Sequence, residues 1–323
     1  MTNKRLLALS GGGVKGYAQV QVLKKLEEDN GPLHDYYDLV IGASVGAIDA
    51  AILASGKKTM TEFEDGFPEM AKKIFKKRRF FSFRKFPKYQ RKNFMEIWDE
   101  LIGLDFKMKD VKTKLMVLSV DLVTNKNRFF KSWHDDDGEE RLVDIVMRSF
   151  AAPMFFGQLV DEKNKACWSD GGSGFDNLPL EEAKITAEVH GWYQHNQIQI
   201  DAIGCLFQKP TNTFKKQKKN RMVRQVFDFM NPMEGGLARA QSRQDQVDTM
   251  VYQAQKISNI SFRYWDTTCS KKLDGLDKLK YMDKYKELGI LMSSSPLIEV
   301  GSPTTMVTST NNNSSDVGYS TSN

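Results

Sequence analysis

Twice within its first 56 residues the chain runs from a short apolar stretch through a glycine turn into a helical pattern. No other feature constrains the fold as tightly. Residues 5–10, RLLALS, end in GGGVKG, and residues 17–29, YAQVQVLKKLEED, then set Val20, Val22, Leu23 and Leu26 at helical spacing. Residues 38–42, DLVIG, and 47–55, AIDAAILAS, make a second strand–helix unit, with Gly56 placed to stop the helix. Buried-strand patterns recur at 115–124 (LMVLSVDLVT), at 166–172 (ACWSDGG, entering a glycine turn) and at 198–207 (IQIDAIGCLF). NRFFKSW, 127–133, follows the first of these across a short turn. Residues 141–152, RLVDIVMRSFAA, read as an amphipathic helix stopped by Pro153. Residues 60–105 read as largely helical with a break near Pro87, and the remainder to about residue 290 as mostly helical. Alternating β and α elements favour a parallel or mostly parallel sheet with helices on both faces.

Length and composition set outer limits. With 323 residues, 40% hydrophobic and 27% charged, the chain can bury a substantial core. No apolar run approaches the roughly 20 residues that span a bilayer, and the apolar stretch before the first glycines is too short for a signal peptide. Cys167, Cys205 and Cys269 lack CxxC spacing and are odd in number, so neither a zinc site nor a disulfide scaffold is indicated and a reducing cytoplasm is expected. The net charge of +6 is unevenly spread. Residues 71–92, AKKIFKKRRFFSFRKFPKYQRK, hold bases and aromatics with no acid, and FKKQKKNRMVR follows at 214–224. Such runs suit anionic surfaces, phospholipid or nucleic acid, or else form a solvated basic face. From Ser293 the sequence is rich in Ser, Thr and Asn and nearly uncharged, so residues 293–323 are expected to form a disordered tail. That leaves one domain over 1–292 with a basic, aromatic helical insertion at about 60–105.

The chemistry-bearing residues cluster in the glycine turns. Ser44, between Gly42 and Gly46, follows a strand and opens a helix, which is nucleophile-elbow geometry. The alternative is a small residue where strand and helix pack closely. In SGGGVKG, 10–16, consecutive glycines before a helix let backbone N–H groups converge on one point as an oxyanion hole requires, with Lys15 adding a cation. The same loop also suits phosphate or a plain turn. No Ser or Thr follows Lys15, so a Walker A loop fails. Gly11, Gly13 and Gly16 match dinucleotide spacing, yet Asp35 and Asp38 precede the second strand instead of ending it. A serine nucleophile needs a base. His34, His134, His190 and His195 lie outside the strand-end glycine turns, whereas Asp170 ends a strand beside Gly171 and Gly172. A free aspartate has a pKa of about 3.9, far below the range that suits a general base, so partial burial would have to raise it.

Taken together these elements resemble the patatin-like phospholipase family. GGGVKG at 11–16 is similar to its glycine-rich oxyanion motif, GASVG at 42–46 to its nucleophile elbow, and DGG at 170–172 to its aspartate motif. SFAAPMFF at 149–156, DNLP at 176–179 and ISFRYWD at 260–266 resemble further family segments, so the likeness spans about residues 4–290. The resemblance implies a three-layer α/β/α sandwich and a Ser44–Asp170 dyad without a catalytic histidine. Ser44 would attack a lipid ester with Asp170 as general base, and backbone N–H groups around Gly12 and Gly13, in the loop of Gly11, Gly12, Gly13, Lys15 and Gly16, would hold the oxyanion. Water would then release the fatty acid, with no metal or cofactor. The implied activity is phospholipase A-like. An acyltransferase or lysophospholipase with the same dyad, and a non-catalytic basic adaptor, are the alternatives.

The expected partner is a phospholipid membrane surface, bound peripherally by a cytoplasmic protein, with nucleic acid a lesser fit. Lys76, Lys77, Arg78, Arg79, Phe80, Phe81, Arg84 and Lys85 are the docking candidates, with Phe75, Phe83, Phe86 and Tyr89 among them as aromatics for the interface. Some bacterial family members are switched on by a cyclic nucleotide or a host partner, so an activating ligand or protein partner is left open.

Overall fold

The computed structural model describes residues 2–77, 87–174, 176–208, 237–270, 272–273 and 275–301. Strand β1 (Thr2–Leu9) passes through the glycine loop and a 3-10 turn at Gly13–Lys15 into α1 (Gly16–Asn30). A single turn, α2 (Leu33–Tyr36), leads to β2 (Leu39–Ala43) and α3 (Val45–Ser55). Helices α4 (Met60–Ile74) and α5 (Arg91–Leu101) precede the hairpin of β3 (Lys114–Asp121) and β4 (Lys126–Lys131). Next come α6 (Asp135–Gly138), α7 (Leu142–Ser149), β5 (Leu159–Asp161) and β6 (Ala166–Asp170). They are followed by α8 (Leu180–Val189), α9 (Trp192–His195), β7 (Asn196–Ile203) and β8 (Phe207–Gln208). The last described elements are α10 (Leu237–Lys256), β9 (Ile260–Trp265), β10 (Thr268–Cys269), α11 (Met282–Ser293) and β11 (Ile298–Val300).

The main sheet has nine strands in the order β11-β9-β7-β1-β2-β3-β6-β5, with β4 paired to β3. Its central run, β9-β7-β1-β2-β3, is parallel, while β11, β4, β6 and β5 join antiparallel. Pairing of Leu9 with both Gly42 and Ile203, and of Ala43 with Leu118, brings the C-terminal ends of four parallel strands to one end of the sheet. Ligands in open α/β sheets bind at that end.

Because side chains alternate between faces, strands covered on both sides read as unbroken apolar runs. Leu7, Leu9, Val40, Leu115 and Val117 face α1, α3, α4, α5, α7 and α11; Leu6, Ala8, Leu39, Ile41 and Met116 face α8 and α10. The three-layer α/β/α sandwich is therefore the observed fold, around a mixed sheet whose five central strands are parallel. All eleven residues of α3 are buried, and its alanines let the helix sit close to the sheet on every side. Among the described residues no helix is long and apolar enough to cross a membrane.

Among the described residues the region after β8 is mostly helical, in α10 and α11, with the short strands β9 and β10 between them. Two expectations need correction. The amphipathic helix expected at 141–152 ends at Ser149, ahead of Pro153, because the chain turns there to reach the sheet end. The tail expected from Ser293 begins with ordered structure: Ser293 closes α11, and Ile298–Val300 pair with Tyr264, Arg263 and Phe262 of β9. An open sheet edge supplied backbone partners that composition could not reveal. Residues beyond 301 lie outside the described residues, as does the second basic run at 214–224.

One buried carboxylate ties three helices of the first layer together. Glu64 of α4, 2% exposed, accepts from Tyr17 Oη at 2.7 Å and Lys24 Nζ at 3.3 Å on α1, and pairs with Lys286 Nζ of α11 at 2.8 Å. Burial alone would raise its pKa, but hydrogen bonds from Lys286, Tyr17, Gln21 and Lys24 outweigh it and hold the carboxyl at about 2. A carboxyl depressed by folding stabilises above its unfolded pKa and loses that contribution as pH falls through the folded one. Glu64→Gln is therefore expected to cost about 1–3 kcal/mol at neutral pH in urea denaturation. The difference from wild type should shrink as pH falls from the ordinary 4.5 toward about 2.

Candidate active site

Between the end of β2 and the start of α3, Ser44 alone turns the chain. Its backbone sits at φ 55° and ψ −123°, a conformation that costs a residue with a side chain on the order of 1–3 kcal/mol. The surroundings hold it there: Ser44 N–H donates to Ser149 Oγ at 2.9 Å, and Ser44 C=O accepts from Ala47 N–H at 3.0 Å. The flanking glycines answer to crowding. A Cβ on Gly42 would lie 2.2 Å from the Gly46 carbonyl oxygen, and one on Gly46 would lie 2.5 Å from that of Leu9. The N-terminus of α3 starts at this point, where partial positive charge favours a developing oxyanion.

Asp170 arrives from the antiparallel side of the sheet. Strand β6 pairs with β3 in the register Ser119↔Asp170, and Asp170 N–H donates to Ala151 C=O at 3.1 Å. The Asp170 carboxylate meets both the elbow and its own turn. Oδ2 accepts from Ser44 Oγ at 2.7 Å, and Oδ1 accepts from Gly172 N–H at 2.7 Å. Ser44 and Asp170 are 7% and 5% exposed, so the pair is screened from bulk water but not sealed. The turn needs its glycines: a Cβ on Gly171 would meet the Leu118 carbonyl oxygen at 2.3 Å, and one on Gly172 would meet Asn177 Oδ1 at 2.4 Å.

The glycine loop lies against the elbow, since a Cβ on Gly11 would sit 2.8 Å from Ser44 Cβ. Its amides divide into two groups. Gly11 N–H donates to Asn177 C=O at 3.1 Å, Lys15 N–H to Gly12 C=O at 3.4 Å, and Gly16 N–H to the carbonyls of Gly13 and Val14. The amides of Gly12 and Gly13 make no hydrogen bond among the described residues. Of the five loop positions, these two keep a donor to offer. The Lys15 side chain is buried, and its Nζ donates to Leu206 C=O at 3.1 Å. Gly16 serves packing instead, as a Cβ there would strike Val45 Cγ2 at 2.5 Å. The Cys205 thiol backs the loop, 2.3 Å from where a Gly12 Cβ would be, and burial pushes its pKa well above the usual thiol range.

Sequence reasoning missed two fixtures. Ser149 supplies the oxygen that holds the elbow amide, and Asn177 clasps the glycine loop through Gly11 N–H to its carbonyl and Nδ2 to Gly11 C=O at 3.0 Å. Both lie in segments, 149–156 and 176–179, that stood out by family resemblance, but their partners are far away in sequence. Asp49, farther along α3, is fully buried with no hydrogen-bond partner on either oxygen among the described residues, and burial pushes its pKa well above the carboxylate range.

The basic stretch divides as well. Lys76 and Lys77 are exposed, but Phe75 and Tyr89, expected to face a membrane, are 8% and 2% exposed and pack edge-on at 5.1 Å in the core. Arg78, Arg79, Phe80, Phe81, Phe83, Arg84, Lys85 and Phe86 lie outside the described residues. Among the described residues, no three His, Cys, Asp or Glu side chains come together to hold a metal ion.

Comparison with known proteins matches the sequence to a family. The patatin-like phospholipase family pattern fits residues 7–184, more than half of the chain. The chain is 30% identical over 190 residues to the cGAMP-activated phospholipase of Vibrio cholerae serotype O1, covering 52% of this chain and 53% of that protein. It is 31% identical over 186 residues to the cGAMP-activated phospholipase of Escherichia coli strain TW11681, covering 52% and 51%. It thus spans about half the length of the curated relatives it matches. VipD from Legionella pneumophila aligns over 90% of this chain and 66% of its own, at 12% identity and a TM-score of 0.43. With the family pattern running through the glycine loop, the serine elbow and the Asp170 turn, this chain belongs to the patatin-like phospholipase family.

Proposed function

We propose that the chain is a phospholipase A-like lipid acyl hydrolase acting through Ser44 and Asp170. The observation that carries this reading is the 2.7 Å hydrogen bond from Ser44 Oγ to Asp170 Oδ2, next to a glycine loop whose Gly12 and Gly13 amides make no hydrogen bond among the described residues. Asp170 takes the hydroxyl proton as Oγ adds to the ester carbonyl carbon, and the negative charge passes to the carbonyl oxygen. The N–H groups of Gly12 and Gly13 receive that oxyanion. On collapse the ester C–O bond breaks, and the proton on Asp170 goes to the departing lysophospholipid alcohol. Water then adds to the acyl-serine, gives its proton to Asp170, and leaves with the acyl group as a fatty acid while Ser44 regains its proton. A carboxylate is a weak base in water, so fixed contact with the hydroxyl contributes much of the effect.

Phospholipid is presented at a membrane surface, and the exposed ammonium groups of Lys76 and Lys77 support peripheral docking on anionic bilayers. Each such cation contributes on the order of 1 kcal/mol near the surface. With Phe75 and Tyr89 committed to the core, attraction here rests on charge. The two relatives named above are called cGAMP-activated, and we extend control by a cyclic dinucleotide to this chain.

Release of free fatty acid from phospholipid vesicles, measured with and without added cGAMP, tests the reading. Wild type is expected to be active, more so with the dinucleotide, while Ser44→Ala and Asp170→Asn should each lose on the order of a thousandfold or more in kcat. Full turnover by either variant, or acyl transfer to another lipid in place of free fatty acid, would contradict it. Co-sedimentation with phosphatidylserine vesicles tests docking: the double charge reversal Lys76→Glu, Lys77→Glu should weaken binding on the order of tenfold. Unchanged binding would place docking elsewhere.

A further inference from the structure

Two segments distant in sequence meet on the glycine loop. The Leu276 carbonyl accepts the N–H of Val14 at 2.9 Å, and a Cβ on Gly13 would lie 2.2 Å from that same oxygen. The main chain at Leu276 therefore presses on the turn that presents the Gly13 amide, and only a residue without a side chain fits beneath it. Gly13 itself has φ +60°, so its conformation also depends on being held.

The next residue points elsewhere. Asp277 Oδ2 accepts from Tyr89 Oη at 2.5 Å and pairs with Lys88 Nζ. Those partners are themselves anchored. Lys88 N–H donates to Met154 C=O at 2.9 Å and Tyr89 N–H to Phe155 C=O at 2.8 Å. The Tyr89 ring packs on Phe75 and Phe156, at 5.1 and 5.6 Å between centroids, and its backbone bridges Lys77. Asp277 thus links the rigid end of the basic segment to a strap lying on the glycine loop.

We propose that Asp277 is a positioning residue for the reaction: by anchoring Leu276 to Lys88 and Tyr89, it holds the Gly12 and Gly13 amides at the height where the oxyanion forms. The assignment rests on the reading of those amides given under Proposed function. The Asp277 side chain is 18% exposed, which limits competition from water. Burial would raise its pKa, but the bonds from Lys88 and Tyr89 prevail and keep it below the usual carboxylate range, so the anchor is charged at neutral pH. Displacement of Lys88 passes directly to the strap, which places the basic segment in mechanical series with the oxyanion site.

The test uses the full chain on phospholipid vesicles, with Asp277→Asn, Lys88→Met and the exchange Lys88→Asp with Asp277→Lys. Loosened amides should lower kcat on the order of tenfold to a hundredfold in both single variants. KM should stay within about twofold of wild type, because ground-state binding is untouched. Fluorophosphonate labelling of Ser44 should slow in parallel, melting temperature should hold, and the exchange should recover most of the loss. Wild-type kcat in Asp277→Asn would overturn the proposal. So would a change confined to KM, or losses that track melting temperature in all three variants. If wild type itself shows no Ser44-dependent hydrolysis, the function reading fails first and this assignment with it.

Discussion

The hydrogen bond between Ser44 Oγ and Asp170 Oδ2 joins residues 126 positions apart, and the rest of the site is organised around fixing its two ends. A bond between side chains on separate strands is only as well placed as the backbones beneath it. Here one end sits on a strained turn and the other at the tip of an antiparallel strand that joins the parallel centre of a mixed sheet. Neither placement would persist in isolation. The strained conformation of Ser44 is tolerated because Ser149 and the first turn of α3 both bond its main chain.

The last residue of α7 and the segment just after it serve both ends at once. Ser149 holds the amide of Ser44, and two residues later Ala151 accepts the amide of Asp170. Behind it, Arg148 is 6% exposed, bonds Glu140 through both terminal nitrogens at 2.9 and 2.5 Å, and lies 4.9 Å over the Phe130 ring. A buried, bidentate guanidinium on an aromatic face fixes direction as well as position. On the opposite side Asn177 joins the loop after Asp170 to the glycine loop, so all three motifs are mutually braced.

Much of this was legible in the sequence because the chemistry is local. A strand, a glycine turn and a helix can be read within a dozen residues, and the βα alternation led to the correct layers. Gly42, Gly46 and Gly16 are small because other elements pass within contact distance, while the positive φ at the elbow falls on Ser44 itself. What stayed hidden was set by long-range contacts. The Lys15 ammonium is held by the Leu206 carbonyl, 191 positions away, a contact no local pattern announces. Phe75 and Tyr89 read as membrane aromatics amid lysines and instead fill the core, since spacing alone cannot say which face of a basic helix is covered. Likewise the pairing of Ile298–Val300 depends on an open edge of β9 that no local composition announces.

The site's logic therefore depends on one hydroxyl being both activated and reachable. Peptide mapping by mass spectrometry after treatment of the full chain with a fluorophosphonate examines this most directly. A single covalent adduct on the peptide carrying Ser44, absent when Ser44 is alanine and greatly slowed when Asp170 is asparagine, is the expected result. No adduct on the folded wild type, an adduct on another residue, or labelling indifferent to Asp170 would contradict the account.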